Sequence, residues 1–145
     1  MGRPAPLVPV ALIFLVALAA AACAPNQAPR LAVGDCFDPP EIIGEPVTDL
    51  ATIPCTSPHG AEVVAVYRYE PDAATLPSED DFRAFLEARC PVGFLEYTGL
   101  DFATAEYDMS ALTPTPEDWA AGRRDVICYA VSIGGGPLTE SIRKE

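Results

Sequence analysis

The sequence is poor in basic residues. It contains 9 Lys and Arg against 21 Asp and Glu, which gives a formal net charge of −12 at pH 7. A nucleic acid partner is disfavoured by this balance, because affinity for nucleic acids comes mainly from Lys and Arg on phosphates. Anionic lipid headgroups would repel the chain for the same reason. Any attachment to a membrane therefore has to come from acyl chains.

Residues that bind metals or act as nucleophiles in recognisable patterns are also scarce. The chain has one histidine and no paired C-x-x-C motifs, which argues against a zinc site. It has no calcium-loop spacing of alternating acids around a glycine, and no nucleophile elbow with a central serine. We therefore expect no metal, no other cofactor and no catalytic residue, and a protein that is not an enzyme.

The long apolar segment of the chain lies at its N-terminus. A run of 16 residues from Leu7 to Ala22 follows Arg3 and ends at Cys23. It is shorter than the roughly 20 residues that span a bilayer as a helix, and its layout is typical of the export signal of a bacterial lipoprotein. We expect residues 1–22 to be this signal peptide and Cys23 to be lipidated with diacylglycerol and palmitate. Because Ala20 stands where such signals usually carry Leu, an ordinary secretory signal without lipid is the alternative.

Either signal exports the rest of the chain, and the lipoprotein signal places it at the outer face of the cell membrane. We expect residues 23–33 to be the lipidated N-terminus and a polar, proline-containing tether, and residues 34–145 to form one extracytoplasmic domain. That length suffices for one domain with its own core and is too short for two. The expected membrane contact is the lipid anchor.

The number of cysteines supports the same interpretation. Five cysteines are present, and an odd number in an exported protein leaves one to be explained. If Cys23 carries lipid, four remain, and in an oxidising compartment four cysteines normally form two disulfides. These four are Cys36, Cys55, Cys90 and Cys128. Three pairings are possible, and spacing alone does not choose among them.

The hydrophobic periodicity predicts a small α+β domain. Alternating or β-branched runs indicate four strands, over Pro46–Pro54, Glu62–Tyr69, Glu106–Leu112 and Arg123–Ile133. Apolar residues at spacings of three and four predict one main helix from the N-cap Ser78 to Gly99, kinked or restarted at Pro91. A short helical turn is expected over Thr115–Gly122. We expect an antiparallel sheet with the main helix packed on one face.

An ordered set of residues extends across nearly the whole chain after the N-terminal segment. It comprises Gly34-Asp35-Cys36-Phe37, Pro54-Cys55-Thr56-Ser57-Pro58-His59, Ala61–Val66, Cys90, Phe94, Tyr97, Gly99, Pro116, Trp119, Gly122-Arg123, Val126, Cys128, Leu138-Thr139, Ser141 and Arg143. On these residues the sequence resembles the septum-formation domain family, which consists of small extracytoplasmic domains of actinobacteria. Glu140 departs from the family pattern, where Gly is usual, and Pro91 interrupts a helix that is usually continuous.

The resemblance implies the pairing Cys36–Cys55 and Cys90–Cys128, the second of which would join the main helix to the sheet. It also implies a link to septum formation and cell division. It carries over no catalytic chemistry. We therefore expect a non-catalytic cell-envelope lipoprotein, a binding or scaffold module whose partner is a division or cell-wall protein. The alternatives are a hydrolase acting on the cell wall and a carrier of a small apolar ligand.

Two residues are candidate ligand contacts. His59, the single histidine, follows Cys55 in a loop and could contact a ligand, or its ring nitrogens could bond backbone groups and hold the loop. Trp119 could line a groove for a sugar or peptide, or it could fill the core. The acidic cluster Glu79, Asp80 and Asp81 lies at the predicted helix start, where carboxylates usually serve as caps and dipole partners.

Overall fold

The computed structural model describes residue 2 and residues 30–39, 50–69 and 74–145. The predicted signal peptide, Cys23 and most of the tether lie outside the described residues. Within the described part, no helix is long and apolar enough to cross a bilayer.

The described chain forms one five-stranded antiparallel sheet with a main helix, which confirms the predicted α+β class. In chain order the strands are β1 (Cys36–Phe37), β2 (Thr52–Ile53), β3 (Ala61–Arg68), β4 (Tyr107–Leu112) and β5 (Asp125–Ser132), and the helices are α1 (Glu79–Thr98) and α2 (Pro116–Ala120), with a 3₁₀ turn at Phe102–Thr104. The spatial order of the strands is β2-β1-β3-β5-β4. All neighbouring strands run antiparallel.

The two long strands β3 and β5 form the centre of the sheet. Side chains alternate between its faces: Cys128 and Ala130 of β5 pack towards α1, whereas Ile127 and Tyr129 pack on the opposite face. Because apolar side chains cover both faces, the first five residues of β3 are all buried, as is expected for a strand with a core on each side.

Helix α1 begins and ends where its sequence predicts. The Ser78 hydroxyl accepts from the Asp81 amide and the Asp81 carboxylate accepts from the Ser78 amide, which forms a capping box. Gly99 ends the helix with a φ of 74°, a left-handed conformation that glycine adopts without strain. The helix lays Phe82, Cys90 and Phe94 into the core.

A kink or a restart was predicted at Pro91; the restart is wrong, because α1 continues across that residue, and the kink stays a prediction. Proline removes the amide that would donate to the carbonyl four residues earlier. Cys90 and Phe94 on either side of Pro91 are buried against the sheet, and the Cys90–Cys128 disulfide holds this turn to β5. These tertiary contacts keep the two halves of the helix in one element.

Gly93 lets α1 approach β3 closely. A Cβ atom at this position would lie 2.5 Å from the Cβ atom of Ala65 and 2.8 Å from the hydroxyl oxygen of Tyr67. Both distances are shorter than a van der Waals contact. The separation between helix and sheet is therefore set by the absence of a side chain at Gly93.

The remaining predicted elements are confirmed at slightly different bounds. The strand expected over Glu106–Leu112 is β4, and the short turn after Thr115 is α2, where the Thr115 hydroxyl and the Asp118 carboxylate form a second capping box. Of the strand expected over Pro46–Pro54, only β2 lies in the described part of the chain, since residues 40–49 are outside it. Strand β1 was not predicted, because two residues are too few for a visible alternation.

Candidate functional site

The four cysteines predicted to pair form two disulfides. Cys36 of β1 is bonded to Cys55, and Cys90 of α1 is bonded to Cys128 of β5, the pairing that the resemblance implied. Three of the four residues are buried. These sulfurs are committed to cross-links, so none of them is a free thiolate nucleophile.

His59 fixes the loop that follows Cys55. Its Nδ1 atom lies 2.8 Å from the carbonyl oxygen of Ser57, and since that oxygen can only accept, Nδ1 carries the proton. Its backbone amide and carbonyl both bond Leu138, at 3.0 and 2.8 Å. The residue is 1 % exposed, and its Nε2 atom has no hydrogen-bond partner within the described residues. The ring borders an open cavity of about 560 Å³ beside Pro58 and Pro137, but its own surface is closed. A ligand role for His59 stays a prediction.

Trp119 lies in the core beneath the N-terminal half of α1. It packs with Phe82 and Val126 and makes an edge contact with Tyr69, at 5.9 Å between ring centroids. The guanidinium of Arg124 lies 4.3 Å from the centre of its ring. With 6 % of its surface exposed, Trp119 offers little surface to a ligand in this conformation. Its role as a ligand contact also stays a prediction.

A buried carboxylate that the sequence analysis did not single out lies at the other end of α1. Glu62 of β3 is 0 % exposed and accepts hydrogen bonds from the Tyr97 hydroxyl, from Ser141 Oγ at 2.6 Å and from the Ile142 amide at 2.9 Å. Burial and the hydrogen bond to Glu62 raise the pKa of the Tyr97 hydroxyl to about 12. In the sequence, the only indication of this buried carboxylate was a charged residue inside a strongly apolar strand.

This group, the Glu62 cluster (Glu62, Tyr97, Ser141 and Ile142), ties the C-terminal segment to the sheet. The Lys144 amide adds a bond of 3.0 Å to the Tyr97 carbonyl. A fully buried charge is costly unless it is hydrogen-bonded, and here three donors satisfy it. A carboxylate oxygen of Glu62 also lies within 4.8 Å of the sulfurs of Cys36 and Cys55. Because those sulfurs form a disulfide, they do not offer the thiolates that a metal ion requires.

A second buried carboxylate, that of Asp118, also supports the fold. Besides capping α2 it accepts from Arg123 Nε at 2.7 Å, and it is 1 % exposed. The Arg123 amide donates to its carbonyl oxygen at 2.8 Å. The pair therefore fixes the turn between α2 and β5. Both residues also line an open cavity of about 340 Å³ that Asp125 borders, where Arg123 Nε holds the Asp118 carboxylate.

A further open feature is a largely apolar groove between α1 and β4, which we call the edge groove. Its volume is about 490 Å³, within the lower part of the range of ligand sites. Apolar atoms of α1, of the 3₁₀ turn and of β4 line it: Leu86, Cys90, Pro91, Phe102, Met109 and Ala111. Two exposed carboxylates, of Glu87 and Asp108, stand at its rim, and no basic residue lines it.

The comparisons with known proteins point to one family. A search of curated proteins and a search of solved structures each found no match. The model of the septum-formation family matches residues 20–142, a span that includes all five cysteines and the whole Glu62 cluster. This match links the protein to septum formation. Because it covers most of the sequence, the chain belongs to the septum-formation family.

Proposed function

We propose that this protein is a lipid-anchored, non-catalytic domain that binds or positions another protein during septum formation, at the outer face of the cell membrane. Membership of the septum-formation family supports the septal part. The anchor is supported by the apolar run that ends at Cys23 and by the cysteine count, since the two disulfides use four of the five cysteines and leave Cys23.

The use of the buried polar groups is the observation that carries the non-catalytic part. Glu62 is saturated by donors, Asp118 is engaged by Thr115 and Arg123, and the His59 Nδ1 bonds the backbone. A hydrolase of wall polymers would need two carboxylates about 5 to 10 Å apart in an open cleft. Each buried group has a structural use instead, which favours recognition over chemistry.

Localisation in the living cell tests the septal part. We would express the full chain with a fluorescent protein that folds outside the cytoplasm, fused through a flexible linker after Glu145, and follow dividing cells by time-lapse microscopy. We expect the signal to concentrate at the septum before constriction and deletion of the gene to delay or misplace septa. Uniform signal together with normal septation in the deletion strain would reject this part of the proposal.

The lipid anchor is tested at Cys23. In the Cys23→Ser variant the signal can still be cleaved by an ordinary peptidase but no thiol accepts lipid, so we expect the protein to appear in the medium. Ala21→Ser, another small-residue change in the same segment, is the matched control and should stay in the membrane fraction. Mass spectrometry of the mature N-terminus should find an acylated cysteine, and an unmodified terminus would rule the anchor out.

The rival enzymatic function has a direct test as well. The purified full-length protein is incubated with isolated cell wall, and soluble wall fragments are measured. We expect no release above that of a heat-denatured sample. Release that disappears in Glu62→Gln or His59→Ala, with both variants still folded by circular dichroism, would replace the binding function with a hydrolase.

A further inference from the structure

Within the described residues, no strand pairs with the outer edge of β4. Strand β4 is six residues long and ends the sheet on one side, whereas the two-residue β2 ends the other. The Ile133 amide donates to the Glu106 carbonyl at 3.4 Å, which sets the phase of the ladder: in antiparallel pairing every second residue bonds the neighbour. Residues 108, 110 and 112 therefore face β5 with their backbone groups. The backbone groups of Tyr107, Met109 and Ala111 face outwards.

One of these outward amides is covered by the chain itself. Oδ1 of Asp108 accepts from the Met109 amide at 2.8 Å. Open edges invite pairing with another chain, and charged side chains on the edge are a common protection against it. Asp108 is exposed, so an incoming carbonyl can take its place at the Met109 amide. Asp108 therefore protects the Met109 amide alone, and an incoming strand can displace its carboxylate.

The edge groove runs beside this open edge. The side chains of Met109 and Ala111 point to the same side as α1, and both line the groove. An extended peptide that bonded the outward backbone of β4 would therefore direct alternate side chains between β4 and α1. Addition of a peptide strand to a sheet edge is a recurring mode of recognition, in which the main chain supplies affinity and a pocket supplies specificity.

The charges around the groove select the occupant. Glu87 and Asp108 flank an apolar floor, and the chain as a whole has 21 acidic against 9 basic residues. Because side chains alternate along a strand, the complementary segment has an apolar residue for the groove, a Lys or Arg residue two positions along for Glu87, and an adjacent Lys or Arg residue for Asp108. A second copy of the same chain is disfavoured, because pairing two β4 edges would bring the acidic rims of both copies together.

We infer that the edge groove binds an extended segment of a partner protein by adding a strand to β4, with an apolar side chain in the groove, a Lys or Arg residue two positions along at Glu87 and an adjacent Lys or Arg residue at Asp108. This inference names the partner class for the proposed binding function and rests on it. It is independent of where in the cell the protein acts.

The test uses the full-length protein in detergent micelles and a labelled peptide with the repeat Val-Lys-Lys-Lys, which places Lys on both faces of the extended chain and Val on one. Fluorescence anisotropy measures affinity, and NMR chemical shifts of the backbone amides locate the contact. We expect saturable binding with shifts concentrated in β4 and on α1 around Leu86 to Pro91. A peptide with Glu in place of Lys, and one with N-methylated Val residues that cannot donate to the edge, should bind at least about tenfold more weakly.

Matched variants of α1 separate the groove from general charge attraction. Glu87→Lys reverses a charge at the rim and should weaken binding about tenfold, whereas Glu96→Lys makes the same change at an exposed position of the same helix outside the groove. We expect Glu96→Lys to change affinity by less than about twofold. Ala111→Pro removes an outward amide and leaves the bonds to β5 in place, so it should also lose binding.

Each other result overturns the inference. Equal weakening by the two lysine variants would mean non-specific attraction to an acidic surface. Shifts that lie away from β4, or no binding of the Val–Lys peptide, would exclude strand addition. Shifts in β4 that depend on protein concentration without peptide would assign the edge to a second copy. Absence of septal localisation would reject the septal function and leave these binding results standing, so the two failures are distinguishable.

Discussion

Replacement of Gly93 by alanine should destabilise the domain, although helix propensity alone predicts the opposite. In an exposed helix the change from Gly to Ala stabilises by about 1 kcal/mol. Here the added methyl would lie 2.5 Å from the Cβ atom of Ala65. That atom is attached directly to the backbone of β3, so it cannot rotate away, and helix and sheet have to separate.

Overpacking of a core typically costs about 1–3 kcal/mol, and the rigid contact at Ala65 places this case near the upper value. After subtraction of the gain in helix propensity, we expect a net loss of about 2 kcal/mol. For a domain of this size the melting temperature would fall by about 8 °C. Tyr67 contributes less, because its hydroxyl ends a half-buried side chain that can move.

The assay is urea unfolding of the oxidised protein, followed by the fluorescence of Trp119. Ala88→Gly, at an exposed position of α1, measures helix propensity in the same helix and should cost about 1 kcal/mol. Ala65→Gly removes the opposing methyl and with it the overpacking, so the double variant with Gly93→Ala should recover about 3 kcal/mol relative to the sum of the single changes. A Gly93→Ala protein more stable than wild type, or additive changes, would refute the close-approach account.

Three further predictions concern the polar and covalent links of the domain. Glu62→Gln places an amide donor against other donors and should destabilise the domain by about 3 kcal/mol in urea unfolding. The backbone amides of the C-terminal segment should also exchange faster. The control Glu96→Gln, at an exposed position, should change stability by less than about 0.5 kcal/mol. The folded state holds the Tyr97 proton more tightly, with a pKa of about 12 against the ordinary tyrosine value of 10.0. This contribution to stability is therefore complete below pH 10 and is lost as the pH rises towards 12. Ultraviolet titration should find a last tyrosine step that Tyr97→Phe removes. Replacement of Cys90 and Cys128 together by alanine should cost about 4 kcal/mol of stability in the chain-entropy model. Loss of the Cys36–Cys55 disulfide should cost roughly 3 kcal/mol, because that disulfide closes a shorter loop. Equal melting curves of the two double variants would contradict that order.

The sequence predicts the long elements of this domain well, because their signals are local. The Ser78 and Thr115 caps, the alternation of β5 and the apolar stripe of α1 each depend on neighbouring residues only. The restart at Pro91 failed because tertiary contacts outweigh the loss of one helical hydrogen bond. The short β1 has no periodicity and is held by its pairing with β3 and by the disulfide at Cys36.

The candidate site was less accessible to prediction. His59 and Trp119 attract attention as single residues of their kind, and both are buried. The hydrogen-bond donors Ser141 and Ile142 lie almost 80 residues from Glu62 in the chain, and no local sequence pattern indicates that they bond its carboxylate. The edge groove exists because the strand order leaves β4 at the end of the sheet, a property of topology that spacing along the chain does not contain.

The position of the Glu62 cluster has a consequence for the order in which the domain closes. Two of the donors to Glu62, Ser141 and Ile142, follow all five strands in the chain, so they are synthesised after the whole sheet. Until these two donors are present, burial of the Glu62 carboxylate of β3 carries a free-energy penalty, so the core around Glu62 closes last. A chain truncated by premature termination or by proteolysis before Ser141 would therefore stay loosely closed and accessible to proteases. Only chains that extend through these two donors can close the core around Glu62 without that penalty.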